Sequence, residues 1–392
     1  MIEILDKHNC CGCEACVQIC PKQCISFNED AEGFRYPMVD KRICIDCVLC
    51  EKVCPILNKT EERKPLKVYA AKNRDEEELL ASSSGGLFIL FAKEILCQGG
   101  VVFGAKFDEN WNVVHAYAET EKDLKAFMGS KYVQSRIGNT YREAKDFLEA
   151  GRQVLFSGTS CQIAGLKRYL RKEYDNLLTI DVVCHGVPSP KVWRLYLDEV
   201  MNSAGKDARI SDITFRDKHL GWRKYSFILK TTKGYAIDNN IATISEFHRN
   251  NPYMQAFIAN LILRPACEKC RFKGGRSLSD ITLADFWGIW NVKSEMFDDK
   301  GTSLLIINSK KGIEITNNLH LLSCEVDLKD AIKSNPAYYK SSIKHRKRKD
   351  FFRALDDGNT PIFMLMNKLS QTTRFQKIQL LIRRIIYKKI LN

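Results

Sequence analysis

Two cysteine runs close to the start of the chain restrict its fold more than any other feature. They read CCGCEACVQICP, from Cys10 to Pro21, and CIDCVLCEKVCP, from Cys44 to Pro55. Each follows the spacing C-x2-C-x2-C-x3-C-P, and 23 residues separate Cys20 from Cys44. Three thiols two residues apart wrap a tight loop. The x3-C-P step swings the fourth away, and proline ends the turn without an N–H to donate. Paired runs of this kind bind two cubane [4Fe–4S] clusters, the fourth cysteine of each run ligating the other cluster. The expected ligand sets are Cys10, Cys13, Cys16 and Cys54 for one cluster, and Cys44, Cys47, Cys50 and Cys20 for the second. A zinc ribbon needs only two C-x2-C pairs, and dense C-x2-C spacing without a signal peptide points to metal rather than disulfides. Cys11 and Cys24 fall outside the spacing and are expected to be bystanders.

Ligand exchange ties both halves into one compact unit, which a domain this small needs in place of a large apolar core. The reading is a ferredoxin-type module over residues 1–60. A chain of 392 residues is too long for that module alone and predicts a further, larger domain. Charge is unevenly placed. Of the net +14, a surplus of +10 lies between Lys344 and Asn392, which leaves a nearly balanced body. A nucleic-acid-binding body would show basic residues clustered on one face, so no nucleic-acid partner is expected. No stretch reaches 18 uninterrupted apolar residues, and no N-terminal signal precedes Cys10. With sixteen cysteines in iron–sulfur spacing, the expected location is the cytoplasm.

Beyond a polar linker at Leu57–Pro65, apolar strand patterns alternate with helical ones. Strands are expected at Leu66–Ala71, Val101–Phe107, Val113–Ala118, Gln153–Phe156, Leu177–Val183, Ile210–Phe215, Tyr225–Leu229, Asp280–Leu283 and Leu304–Asn308. Helices are expected at Gly86–Cys97, Arg142–Ala150, Gln162–Arg171 and Val192–Asn202. Such alternation predicts an α/β domain with a largely parallel or mixed sheet. At Arg374–Lys389, Phe375, Ile378, Ile382, Ile385 and Ile386 share one helical face, with basic residues mostly on others. That basic amphipathic tail suits peripheral contact with the inner face of a membrane, or packing on its own domain or at a dimer interface. The run KHRKRK, Lys344–Lys349, reads as a solvated face. The expected domains are 1–60, 61–340 and a tail over 341–392.

Clusters hold one electron at a time, so a redox partner is expected in the large domain, and a flavin is the usual converter between one- and two-electron chemistry. There is no G-x-G-x-x-G. Two other loops qualify for a dinucleotide. SSSGG, Ser82–Gly86, precedes a helix whose first N–H groups favour an anion; it is also what an ordinary cap looks like. SGTSCQIAGL, Ser157–Leu166, sits between a strand and a helix, where α/β ligands gather. Cys161 opens that helix, where the dipole lowers a thiol pKa, and reads as a nucleophile or a metal ligand. Cys184 follows the next strand, and Cys267 and Cys270 form a further C-x2-C. With Cys161 they make a four-thiolate site from three distant loops, or stand as isolated buried cysteines. Cys97 and Cys324 read as structural. His185 is a candidate proton shuttle or loop hydrogen-bonder, and Lys273 and Asp285 are candidate flavin or substrate contacts, or ordinary polar residues.

The ordered series GSKYVQS (Gly129–Ser135), VLFSGTSCQIAGL (Val154–Leu166), VCHGVPSP (Val183–Pro190), RPACEKCRFK (Arg264–Lys273) and SDITLADFWG (Ser279–Gly288) resembles the coenzyme F420 hydrogenase/dehydrogenase beta-subunit family. The resemblance runs from the cysteine module to about residue 310 and leaves the basic tail outside. It implies an FAD-binding α/β domain with an iron–sulfur cluster near the flavin. Carried over by motif, the thiolates are Cys161, Cys184, Cys267 and Cys270, and the flavin contacts are Ser84, Gly85, Gly86, Lys131, Tyr132, Gly158 and Thr159. The family commonly has proline before the loop cysteine; this chain has Ser160. The implied function is a flavin-dependent iron–sulfur oxidoreductase with a redox partner protein, a ferredoxin or another oxidoreductase subunit. Its small-molecule substrate, F420-like or from a surface-polysaccharide pathway, is left open by the resemblance. The alternatives are an electron-transfer subunit with no substrate site of its own, and a protein whose clusters are structural or sensory.

Overall fold

The computed structural model describes residues 1–205, 207–232 and 241–370, with the backbone alone at 241–243. The expected amphipathic tail at Arg374–Lys389 lies outside the described residues. Thirteen strands are described: β1 Ile25–Glu29, β2 Arg35–Val39, β3 Lys67–Asn73, β4 Val101–Phe107, β5 Val113–Ala118, β6 Val154–Thr159, β7 Leu177–Val182, β8 Arg209–Asp217, β9 Ser226–Thr232, β10 Ile241–Phe247, β11 Ile281–Asp285, β12 Ser303–Ile307 and β13 Leu321–Glu325. Eight of them form one sheet in the order β13-β3-β12-β11-β7-β6-β4-β5. Its centre, β11-β7-β6-β4, is parallel; the flanking pairs are antiparallel. The chain is thus a mixed α/β fold with a small N-terminal domain, and no described helix is long and apolar enough to cross a membrane.

Alternation along the central strands decides what each face meets, because successive side chains point to opposite sides. Val102, Leu155, Leu178 and Ile180 pack with Leu87, Ile89 and Phe91 of the Leu87–Cys97 helix. Val101, Phe103, Val154 and Phe156 pack with Tyr141 of the Thr140–Glu149 helix and with Ile163 and Leu166 of the Ser160–Leu170 helix. That second core continues without a break into the N-terminal domain, through Cys13, Ala15, Val53 and Ile56. A separate antiparallel sheet, β10-β9-β8, builds another core with the Pro190–Ala204 and Pro252–Ile258 helices.

In the N-terminal domain β1 and β2 form an antiparallel pair, and each cysteine loop leads into one helical turn, Ala15–Gln18 or Leu49–Lys52. Each turn is entered through the residue after the second cysteine, Glu14 at φ 59° and Val48 at φ 53°. Valine is sterically disfavoured there, so the loop geometry overrides local preference. The domain is held by cations on its carbonyls. Arg271 donates to Ile56 O at 2.8 Å, Lys191 to Ala31 O at 2.9 Å, and Arg168 to Asn58 O at 3.1 Å.

The expected strands and helices of the large domain are present, with ends shifted by a few residues. The β1–β2 pair, β10 and β13 were not anticipated; β13 is a partly exposed edge strand without an apolar run. The main domain was expected to end at 340. Its core in fact takes in Phe351, Phe352 and Leu355 of the Arg348–Asp356 helix and Ile362, Leu365 and Met366 of the Ile362–Ser370 helix. Nor is KHRKRK wholly a solvated face: Arg348 is buried, pairs with both Glu32 oxygens at 2.9 and 2.6 Å, and donates to Leu263 O. Phe351→Ala, which empties a fully buried site, is expected to cost about 3 kcal/mol, read as a lower denaturant midpoint.

Candidate cofactor sites

Cys10, Cys13, Cys16 and Cys54, together with Cys11, line a cavity of about 300 Å³. Cys20, Cys44, Cys47 and Cys50, together with Cys24, line a second of about 360 Å³. The structure therefore gathers the cysteines into the same two sets as the exchanged spacing. The first set is buried; in the second, Cys47 is exposed and Cys44 partly so. Neither supposed bystander is remote, since Cys24 Sγ lies 3.4 Å from Cys20 Sγ. Among the described residues, no three His, Cys, Asp or Glu side chains are arranged to hold a single metal ion.

A third cavity, about 710 Å³, is lined by Cys161, Cys184, Cys267 and Cys270. Its parts come from separate places. Cys161 stands in the first turn after β6, Cys184 just past β7, and Cys267 and Cys270 in and after the Pro265–Lys269 turn. The β6 turn is set by a capping box: Gln162 Oε1 accepts from Thr159 N–H and Thr159 Oγ1, at 2.9 and 3.0 Å. Thr159 Oγ1 lies 3.2 Å from Cys161 Sγ. Ser160, where the family has proline, faces the buried Asp181 carboxylate, which also accepts from Ser277, Ser279 and Thr282. The helix start does not lower the Cys161 pKa; the neighbouring Cys11 thiol and burial raise it well above the usual value. Burial pushes Cys184 up to about 12 and raises Cys267 and Cys270. Thiols so placed hold their protons unless a metal replaces them, which leaves the nucleophile reading of Cys161 without support.

Two cavity residues named from sequence are already engaged. Lys273 is buried and donates to Cys184 O and Ala337 O at 2.6 and 2.7 Å. His185 Nε2 lies 2.6 Å from Asn260 Oδ1, its ring edge-on to Phe257. The named flavin contacts fall in three places. Gly158 and Thr159 lie at the end of β6, Thr159 on the cavity wall. Ser84, Gly85 and Gly86 pass against β3 and β12, where a Cβ on Gly85 would come within 2.5 Å of Ala71 O and 2.6 Å of Ser303 N; sheet packing alone explains that glycine. Lys131 spends its Nζ on Met128 O and Gly129 O.

Tyr132 and Asp285 meet at Arg216, a residue the sequence reading did not single out. Arg216 Nη1 pairs with Asp285 and lies 3.5 Å from Tyr132 OH, and its guanidinium sits 4.3 Å from the Tyr225 ring centroid. The side chain is 4% exposed, yet Nε and Nη2 have no hydrogen-bond partner among the described residues. Asp285 also accepts from Trp222 Nε1 at 3.0 Å. Lys218 holds the SSSGG loop close by, donating to Leu79 O, Ser84 O and Lys300 O at 2.6, 3.0 and 2.7 Å. Both cations lie in the polar stretch RDKH of β8 and its end. Two cations two residues apart on a strand share a face, and that was the available signal.

Residues 9–57 match the family model for the 4Fe-4S dicluster domain, and residues 151–326 match the model for the C terminus of the coenzyme F420 hydrogenase/dehydrogenase beta subunit. The chain is therefore an iron–sulfur electron-transfer protein of the oxidoreductase class. The two matched segments set an N-terminal 4Fe-4S dicluster domain ahead of a segment similar to the C terminus of coenzyme F420 hydrogenase/dehydrogenase beta subunits. Among solved structures it is similar to a chain of the F420-reducing [NiFe] hydrogenase complex from Methanosarcina barkeri, studied as a xenon derivative. That similarity has 17% identity and a TM-score of 0.45, over 78% of this chain and 91% of the other. No curated protein matches the chain.

Beneath the β6 loop, His115 Nδ1 lies 3.0 Å from Ser135 Oγ and Nε2 3.1 Å from Ser157 O. Since a carbonyl only accepts, Nε2 carries the proton and Nδ1 accepts from the serine. Burial lowers the His115 pKa to about 4. The ring is thus expected to stay neutral down to pH 5, with ring nitrogen shifts that do not titrate between pH 5 and 8, the signals being assigned by their loss in His115→Gln.

Proposed function

We propose that this protein is a flavin-dependent iron–sulfur oxidoreductase that passes electrons between its N-terminal clusters, a third [4Fe–4S] cluster and FAD, to or from an organic substrate. The observation that carries this reading is the meeting of Cys161, Cys184, Cys267 and Cys270, three loops apart in sequence, around one cavity. That cavity shares Cys11 and Ile56 with the one lined by Cys10, Cys13, Cys16 and Cys54. The set of Cys20, Cys44, Cys47 and Cys50, which reaches the surface at Cys47, is then the port for a redox partner protein. In this reading residues 1–60 form the input module and 61–340 the flavin and third-cluster domain, with the helices at 348–370 packed on its core.

The residues present fit FAD at one point above all. Arg216 offers two buried nitrogens, Nε and Nη2, that have no hydrogen-bond acceptor among the described residues, beside Tyr132 and Asp285. Leaving such donors unmatched costs about 1–3 kcal/mol, a cost that a phosphate or a ring carbonyl of a bound dinucleotide would remove. Bound there, FAD would supply the exchange between one-electron and two-electron chemistry. The chain's part is to orient it: Arg216 is fixed by Asp285, and Asp285 by Trp222. Lys273 and His185, on the cavity wall, remain candidates for moving a proton.

A second reading, an electron-transfer subunit without its own substrate site, is favoured by how fully Lys273 and His185 are hydrogen-bonded. Turnover by the isolated chain with an artificial electron donor separates the two. Cys161→Ala is expected to lower iron from about twelve to about eight per chain, with the N-terminal clusters retained; unchanged iron would sink the third cluster. Arg216→Leu is expected to lose at least tenfold in FAD affinity while iron stays constant, measured by flavin release from anaerobically prepared protein.

A further inference from the structure

The wall between the inner N-terminal cavity and the four-thiol cavity contains a buried positive charge. Arg264 is 1% exposed and lines the third cavity. Its Nε donates to Cys10 O at 2.8 Å, Nη1 to Gln134 Oε1 at 3.0 Å, and Nη2 to Arg35 O at 3.0 Å. Nη2 also points at Cys10 Sγ, 3.5 Å away. The guanidinium lies 4.4 Å from the Tyr36 ring centroid and 5.5 Å from that of Phe34. The arrangement is tight: a Cβ on Gly12, at φ +74°, would come within 2.5 Å of Gln134 Nε2 and 2.9 Å of Arg264 Nη1.

Among the described residues, Arg264 has no carboxylate partner, and its protein acceptors are neutral carbonyls apart from one cysteine sulfur. An arginine cannot shed its proton at any ordinary pH. A buried charge without a counter-charge is strongly unfavourable, and the acceptor it faces that becomes anionic with a cluster bound is the Cys10 sulfur. Hydrogen bonds to cluster sulfurs and nearby net charge are the protein's means of setting a cluster's potential.

We infer that Arg264 sets the reduction potential of the cluster held by Cys10, Cys13, Cys16 and Cys54. Its buried charge and its N–H toward Cys10 Sγ favour the reduced, more negative form. Among the described residues the other N-terminal site has no comparable buried cation: its cavity is lined by Lys22, which is exposed, and by the Met1 ammonium, which pairs with Glu51. Arg264 thus makes the two N-terminal clusters unequal and raises the inner one as electron acceptor from the outer. It acts through Cys10 and is a positioning residue. The inference rests on the two-cluster reading of the N-terminal domain and not on the third cluster or FAD, so absence of either leaves it standing.

The test is a potentiometric titration of the full chain followed by electron paramagnetic resonance, with iron measured in each sample. The variants are Arg264→Gln and Arg264→Lys, and the outer cluster's signal is assigned by its loss in Cys47→Ala. Arg264→Gln is expected to move the inner midpoint to a more negative potential and leave the outer one in place. Arg264→Lys, which keeps the charge but loses the forked geometry, is expected to move it less in the same direction. Iron-replete variants with unchanged inner midpoints would overturn the inference. So would loss of inner-cluster iron in both variants, which would assign Arg264 to building the wall alone.

Discussion

The structure depends on the seating of the first cysteine loop against the Ser160–Leu170 helix. Gly165 of that helix lies so near the loop that a Cβ there would come within 2.8 Å of Cys13 Cβ and 3.0 Å of its sulfur. Gln18 Oε1 accepts from Tyr141 and Arg142 N–H, and Glu14 Oε2 from Gly138 N–H, so the loop also caps the neighbouring helix and its approach. Because β6 leads directly into Ser160–Leu170, the contact fixes the N-terminal domain to the strand end that carries Cys161. Register within the sheet and spacing between the cysteine cavities are thereby one constraint.

A small domain rich in metal ligands has little apolar area to bury, and this one borrows its core. Val53, Ile56, Ile25 and Phe27 join a cluster completed by Phe156, Ile163 and Leu166 of the large domain. Polar clamps do the remainder. Arg264, Arg271, Arg168 and Lys191 donate to main-chain carbonyls of residues 1–60, and Arg348 grips the Glu32 carboxylate. Such bonds suit a junction that must hold distance, since carbonyl acceptors on a tight loop fix its position as well as its presence. They also make the module part of a larger body, unlike the self-contained unit that its cysteine spacing suggests.

The legible parts of this chain are those written in local spacing. Cysteine intervals foretold the two N-terminal groupings, and strands such as Val101–Phe107, continuous and apolar, declared themselves. The meeting of Cys161, Cys184, Cys267 and Cys270 came from a family resemblance, because intervals between distant loops carry no geometric information. Arg216 and Arg264 were passed over for a different reason. A lone arginine reads as surface until tertiary structure shows it buried, and burial of a charge is a property of the fold alone. The place of Cys11 was hidden in the same way: it breaks the ligand spacing, and only the fold shows it in the wall between two cavities. The helices at 348–370 were hidden by their basic setting, although Phe351, Phe352 and Leu355 lie at helical intervals.

The two N-terminal tetrads share a motif but occupy unlike surroundings, and that asymmetry gives the proposed path its direction. The set with Cys44 and Cys47 faces solvent, with Ile43, Ile45 and Val48 exposed around it, which suits it as the entry point of that proposed path. The set with Cys10 and Cys13 is buried against the large domain, where low polarity alone would oppose adding a further negative charge. An unscreened guanidinium at the same spot reverses that penalty, since burial strengthens its attraction as much as it strengthens the cost. In the proposed path, the same burial that cuts the inner tetrad off from water strengthens the pull of Arg264 on an electron arriving there.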